Sequence, residues 1–180
     1  MSRYDEDALA DGQYINAVIE TMGEVSPIFE KKTREMFKEV LGDIDADEWY
    51  RLGDVAEAYS RLTDEVGVQT MKQGGEASAQ TLPYSDDISL EEAYDKLDKT
   101  VQEVYQDSDM KYPGGRYTYD LDTAAREARL GADKNWALPK PFVKGVHTRM
   151  INRFGPTDAN PHLEESEPEG DEKFVWEVTW

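Results

Sequence analysis

Residues 169–180 read Glu-Gly-Asp-Glu-Lys-Phe-Val-Trp-Glu-Val-Thr-Trp. Beyond the glycine-acid turn, Phe174, Trp176, Val178 and Trp180 fall on one face of an extended chain, and Val175, Glu177 and Thr179 on the other. This period of two predicts a strand over Lys173–Trp180, at a sheet edge or half-buried. Upstream, Phe142, Val146, Met150, Ile151 and Phe154 keep helical spacing between Pro139/Pro141 and Gly155-Pro156, which predicts a helix. Arg116–Leu121 alternates, with Tyr117 and Tyr119 on one face and Thr118 and Asp120 on the other, as a further strand does. Ala125–Gly131 suits either a strand or a short helix. Tyr112-Pro113-Gly114-Gly115 breaks the chain ahead of these elements.

The earlier part of the sequence reads as helices. Ile15, Val18, Ile19 and Met22 repeat at helical spacing, with Gly23 near the stop. Ser26-Pro27 supplies a cap and a first-turn proline for a helix through Phe29, Met36, Phe37 and Val40, ended by Gly42. Asp45 and Glu48 have capping-box spacing and predict a helix whose stripe is Trp49, Leu52, Ala56, Tyr59, Leu62 and Val66. Ser89-Leu-Glu-Glu92 opens the cleanest amphipathic stripe, Leu90, Ala93, Tyr94, Leu97, Val101, Val104 and Tyr105. Val68–Leu82 is expected to be a broken helix, because Gly74 and Gly75 together cost a helix interior about 2 kcal/mol. The order implies an α+β fold: an N-terminal helical half (about 8–108), then a small C-terminal antiparallel sheet with one embedded helix (about 112–180). Both halves together are expected to form one domain of residues 1–180.

Composition narrows the chemistry. The chain has 180 residues, 39 acidic and 20 basic, and a formal charge of −19. Binding to nucleic acid through overall charge is excluded, since counterion release needs a cationic surface. With no cysteine there is no disulfide, thiolate zinc site or cysteine nucleophile. No apolar run approaches the ~20 residues that cross a bilayer, and the opening residues lack the apolar stretch of a secretory signal. The expectation is a cytoplasmic protein that does not bind membranes. The acids are spread along the chain, as adaptation to a salty cytoplasm requires; an acidic face for a basic partner is the alternative. One stretch differs: Lys111–Arg153 holds nine basic residues against four acidic ones. It either pairs with the protein's own acids or meets an anion, with Arg126, Arg129, Lys140, Lys144 and Arg149 as candidates.

Lys140-Pro-Phe-Val-Lys-Gly145, Arg153-Phe-Gly155 and Glu169–Trp180 together resemble the ending of 4-vinyl reductase domains and of the related haem-NO-binding domains. In both, a proline-flanked segment enters a helix around a glycine, a strand follows, and a glycine-acid turn leads to a final F-x-x-x-W strand. The resemblance implies a salt-adapted archaeal member of that superfamily. It implies small-molecule binding between the helical half and the sheet, in sensing or regulation. It also carries departures. Haem-NO-binding proteins hold iron through a histidine on a middle helix, and Leu90–Tyr105 has none. The 4-vinyl reductases carry C-terminal cysteines, and this chain has none. No cofactor or metal is therefore expected.

The wall of a pocket is expected from Trp49, Tyr59, Tyr94, Phe142 and His147, aromatic side chains on helical stripes and the one histidine near them. His147 is expected on the flank of its helix in a structural role, and His162 in the Pro161 turn. Asp43, Asp45 and Asp47 start like a calcium loop, but the sixth and twelfth positions are Glu48 and Asp54 rather than glycine and glutamate. No serine sits in a nucleophile-elbow context. The resulting expectation is a non-enzymatic regulatory domain for a small apolar ligand, read out by a homodimer or a regulatory protein partner. The alternative is a homodimeric scaffold without ligand, pairing through an exposed terminal strand.

Overall fold

The computed structural model describes residues 8–106 and 114–180. Lys111, Tyr112 and Pro113, singled out above, lie outside the described residues. Strand β1 (Leu9–Asp11) runs directly into helix α1 (Gly12–Thr21), whose first turn is capped by Asp11 accepting the Gln13 N–H at 2.7 Å. A single 3₁₀ turn, Met22–Glu24, leads to α2 (Pro27–Leu41). Here the local signals hold: Ser26 Oγ accepts the Phe29 N–H at 3.1 Å, and Gly42 leaves the helix at φ +81°.

The next signal misleads. Asp45 does not open a helix; its carboxylate takes the Asp47 N–H at 2.9 Å in a turn. Trp49–Arg51 is a strand, β2, paired antiparallel with β1 through Ala10 and Tyr50. Helix α3 (Leu52–Val66) starts only after it. The backbone groups that a cap would have served are spent on β1, and Glu48 O accepts from the Gly12 N–H at 2.9 Å. Trp49 is left 39% exposed on a short strand, away from any apolar helix face.

A second expectation also fails. α4 (Val68–Gln80) is unbroken, with Gly74 and Gly75 buried in its middle. A Cβ built on Gly75 meets Phe142 O at 1.9 Å, and one on Gly145 meets Lys72 O at 2.0 Å. Helix α6 (Lys140–Phe154) thus crosses α4 backbone to backbone. The glycines that weaken an isolated helix permit this contact, and packing outweighs propensity. Helix α5 (Leu90–Val104) opens as expected, with Ser89 Oγ accepting the Glu92 N–H at 3.1 Å. It passes into β3 (Tyr105–Gln106), which completes a small sheet in the order β2-β1-β3.

The C-terminal sheet is antiparallel. β4 (Tyr117–Asp122) pairs with β5 (Glu127–Asp133), so Ala125–Gly131 resolves into a turn and a strand. β6 (His162–Ser166) and β7 (Glu172–Thr179) complete the order β4-β5-β7-β6. The terminal strand β7 is therefore interior and not an edge. It is covered on one side by β6, a strand that sequence periodicity did not reveal, and His162 opens that strand instead of lying in a turn. One cluster of buried residues runs through both halves and includes Ile15, Phe37, Tyr59, Tyr94, Phe142, Met150 and Trp176. Among the described residues, no helix is long and apolar enough to cross a membrane. The architecture is α+β: a helical bundle of α1 to α5, then a four-stranded sheet with α6 embedded.

Candidate functional site

Where α4, α5 and α6 meet α1 and β4, the core leaves a cavity of about 40 Å³. Its apolar wall is Leu97, Val101, Phe142 and Val146; its polar rim is Tyr14, Tyr117, Ser78 and Thr100. A single water needs ~10–15 Å³ and a drug-sized ligand ~300–1,000 Å³. The space accepts a molecule of only a few non-hydrogen atoms. A wider depression of about 510 Å³ lies on the outer face of the C-terminal sheet, lined by Asp120, Asp122, Glu127, Arg129, Glu164 and Glu177. It is open and carboxylate-lined, and so remains solvated.

Of the expected wall residues, Phe142 lines the cavity. Tyr59 packs on Phe142 with ring centroids 6.3 Å apart, and its buried hydroxyl has no hydrogen-bond partner among the described residues. Tyr94 and His147 are buried together beside Tyr117. Trp49 stands apart on β2. Tyr14 and Tyr117 were not singled out as wall residues. Tyr14 falls four residues before Val18 on one helical face, which was the available signal; Tyr117 needed the register of a strand against α5.

His147 is fully buried and not on the helix flank. Its Nε2 lies 3.1 Å from the Gly131 carbonyl. A carbonyl only accepts, so Nε2 carries the hydrogen. Nδ1, 2.8 Å from the Tyr94 hydroxyl, is then the acceptor, and Tyr94 donates. Burial pushes the imidazole down to about 4, against a smaller opposing pull from Gly131. Burial likewise pushes the phenols of Tyr59, Tyr94, Tyr105 and Tyr117 well above their ordinary value, so all remain protonated.

Stability follows with a definite sign. Between about 6.5 and 4 the unfolded chain binds a proton at His147 and the folded chain does not, so the fold weakens as pH falls through that window. At ~1.4 kcal/mol per pH unit the loss is roughly 3 kcal/mol. Urea unfolding of the wild type and His147→Gln across the window checks this. The wild type should lose more stability on acidification, and equal slopes reject the assignment.

Of the five candidate anion-binding residues, Arg126, Arg129, Lys140 and Arg149 are engaged with the protein's own groups. Arg126 makes two bonds to Asp158, at 3.2 and 3.1 Å. Arg129 grips Glu172 at 3.2 and 2.7 Å and also reaches Glu177 and the Glu167 carbonyl. Lys140 meets Glu165 at 2.7 Å, and its hydrogen bond and charge, with a smaller share from Lys144, hold that carboxyl below its ordinary value. Arg149 donates to Gln80. Arg116 lies 3.5 Å from Asp98, and Lys134 pairs with Asp171. Intramolecular pairing thus occupies most of the described basic side chains of this segment.

No family model and no curated protein matches the chain. Solved structures do. A point mutant of H-NOX from T. tengcongensis superposes with a TM-score of 0.62 at 15% identity, over 93% of this chain and 94% of that one. The protein of a study of haem redox potential and porphyrin distortion gives 0.63 at 14% identity, over 94% and 99%. An unliganded Fe(II) H-NOX mutant from K. algicida gives 0.59 at 12% identity, over 93% and 94%. The chain has the H-NOX fold. The match to H-NOX spans both the helical bundle and the sheet. At 12–15% identity, the side chains that fill the interior are this chain's own.

Proposed function

We propose that this chain is a non-enzymatic, haem-free regulatory domain on the H-NOX fold, which binds a small, largely apolar molecule in the interior cavity. The observation that carries this reading is the cavity: partly open, walled by α4, α5 and α6, apolar on one side, and rimmed by hydroxyl-bearing side chains that can orient a guest. Haem, which one of the similar structures concerns, does not fit the residues present. About 40 Å³ cannot hold a porphyrin. α5 has no histidine, and the buried His147 has both ring nitrogens engaged. Phe142 forms the wall; Tyr59, Tyr94 and His147 set its shape from behind.

The surrounding biology follows from charge. The even spread of acids supports a salt-adapted, archaeal cytoplasmic setting. The whole chain acts as one unit, and a homodimer or a separate regulatory protein reads the liganded state. For the scaffold alternative, pairing through the terminal strand is closed to β7, which has a neighbour on both sides.

Xenon, an apolar probe of the right size, tests the site. Titrated into protein in molar salt, it should shift the methyl resonances of Leu97, Val101 and Val146 saturably, and Val146→Leu should weaken the effect. Shifts spread over the surface, or none, reject the cavity as a binding site. A Soret band on the purified protein rejects the haem-free reading.

A further inference from the structure

We propose that Tyr94 and His147 form a redox-active pair, which holds a neutral tyrosyl radical after a one-electron oxidant draws an electron out through Tyr119. This rests on aromatic and hydrogen-bond geometry and is independent of what occupies the cavity.

Oxidising a buried phenol strands a positive charge in an apolar interior unless the hydroxyl proton has somewhere to go. Tyr94 has such a place: its hydroxyl already donates to His147 Nδ1 at 2.8 Å. The Gly131 carbonyl, at 3.1 Å from Nε2, fixes the tautomer that leaves Nδ1 free to accept. On oxidation the Tyr94 O–H bond breaks and an Nδ1–H bond forms on His147. One electron passes to the oxidant, and the products are a neutral phenoxyl radical and an imidazolium. That imidazolium keeps its Nε2–H bond to Gly131. Burial makes His147 a weak base, but a one-electron-oxidised phenol is a very strong acid, so the transfer still runs downhill. The return electron restores the original hydrogen bond, and nothing is consumed beyond the oxidant.

The rings supply the route. Tyr119 is partly exposed on β4, and its hydroxyl donates to Asp95 at 3.0 Å, so it too has a proton acceptor. Its ring lies 5.0 Å from that of Tyr94. Beyond the pair, His147 stands 5.4 Å from Tyr117, which is 4.3 Å from Trp136. His147 also stands 5.9 Å from Trp176. The oxidant is of the outer-sphere class, such as a metal complex or an organic radical, because the core admits nothing large.

Photogenerated tris(bipyridine)ruthenium(III), used on the full chain in molar salt, is the test. Electron paramagnetic resonance and transient absorption should show a long-lived tyrosyl radical. Tyr94→Phe, which keeps the ring, should abolish the long-lived component and leave only short-lived radicals at exposed tyrosines. Tyr119→Phe should slow its formation several-fold. Because the proton stays inside the protein, the lifetime should not change between about pH 6 and about pH 9, where exposed phenols exchange with solvent. A long-lived signal undiminished in Tyr94→Phe overturns the proposal. If that variant does not fold, an unchanged rate in Tyr119→Phe overturns it instead.

Discussion

Alanine at Gly75 should unfold the protein or leave it without fixed tertiary packing. Helix propensity alone points the other way, since glycine to alanine in a helix interior gains about 1 kcal/mol. The obstacle is main chain. The new Cβ would lie 1.9 Å from the Phe142 carbonyl oxygen, and real Cβ contacts essentially never fall under 3.0 Å. A side chain could rotate aside, but the backbone of α6 cannot. The two helices must separate, and the cavity wall of Phe142 and Val146 moves with α6. Ordinary overpacking costs ~1–3 kcal/mol, and a clash with backbone exceeds that within a total stability of ~5–15 kcal/mol. Gly145→Ala, facing Lys72 O at 2.0 Å, should behave alike. Near-ultraviolet circular dichroism and thermal melts check both; a raised Tm in either variant removes the backbone contact from the account.

Arg153→Ala should destabilise by roughly 3–5 kcal/mol, because it leaves several carbonyls without their donor at ~1–3 kcal/mol each. The side chain is 10% exposed and binds five groups at the end of α4 and in the loop that follows it. Its Nε meets Asp86 at 2.7 Å, and its two terminal nitrogens take the carbonyls of Ala79, Gln80, Leu82 and Tyr84 at 2.7 to 3.1 Å. α4 ends at Gln80, so these carbonyls include some that no turn of helix can satisfy. The guanidinium also lies 4.7 Å above the Phe154 ring. Lysine offers three donors from a single point and should recover little. Urea midpoints, with amide exchange at residues 79–86, measure the effect. A loss below about 1 kcal/mol would put Arg153 among surface ion pairs.

What could be read from sequence was what is settled within four residues. Ser26 and Ser89 cap the helices they were expected to cap, because the hydroxyl and its N–H partner are neighbours in the chain. The Asp45 signal was equally local and failed, because β2 found a distant strand at Leu9–Asp11. Gly74-Gly75 read as a break for the same reason: the neighbours that need them are distant in sequence, Met22 for Gly74 and Phe142 for Gly75. An edge place for β7 stayed open beside a half-buried one because β6, His-Leu-Glu-Glu-Ser, buries only Leu163 and has no apolar alternation to announce it. At the site, helical stripes identified Tyr59, Tyr94 and Phe142 as core. The bond from His147 to Gly131 joins a helix to a strand backbone, and no side-chain pattern encodes it. The basic segment was legible as a surplus of charge, while its individual partners, such as Asp158 for Arg126, depended on the fold.

The place of β7 has a consequence for how the chain is made. It lies between β5 and β6 yet follows both in sequence, so a ribosome delivers the two flanking strands before the one that joins them. At ~5–20 residues per second, β5 and α6 spend on the order of seconds without the neighbour that completes their sheet. The small sheet of the N-terminal half closes earlier, once β3 emerges, but α4 waits for α6, which crosses it. In a nascent chain the two halves therefore become resistant to proteolysis together, and the sheet half is exposed to wrong pairings until β7 arrives.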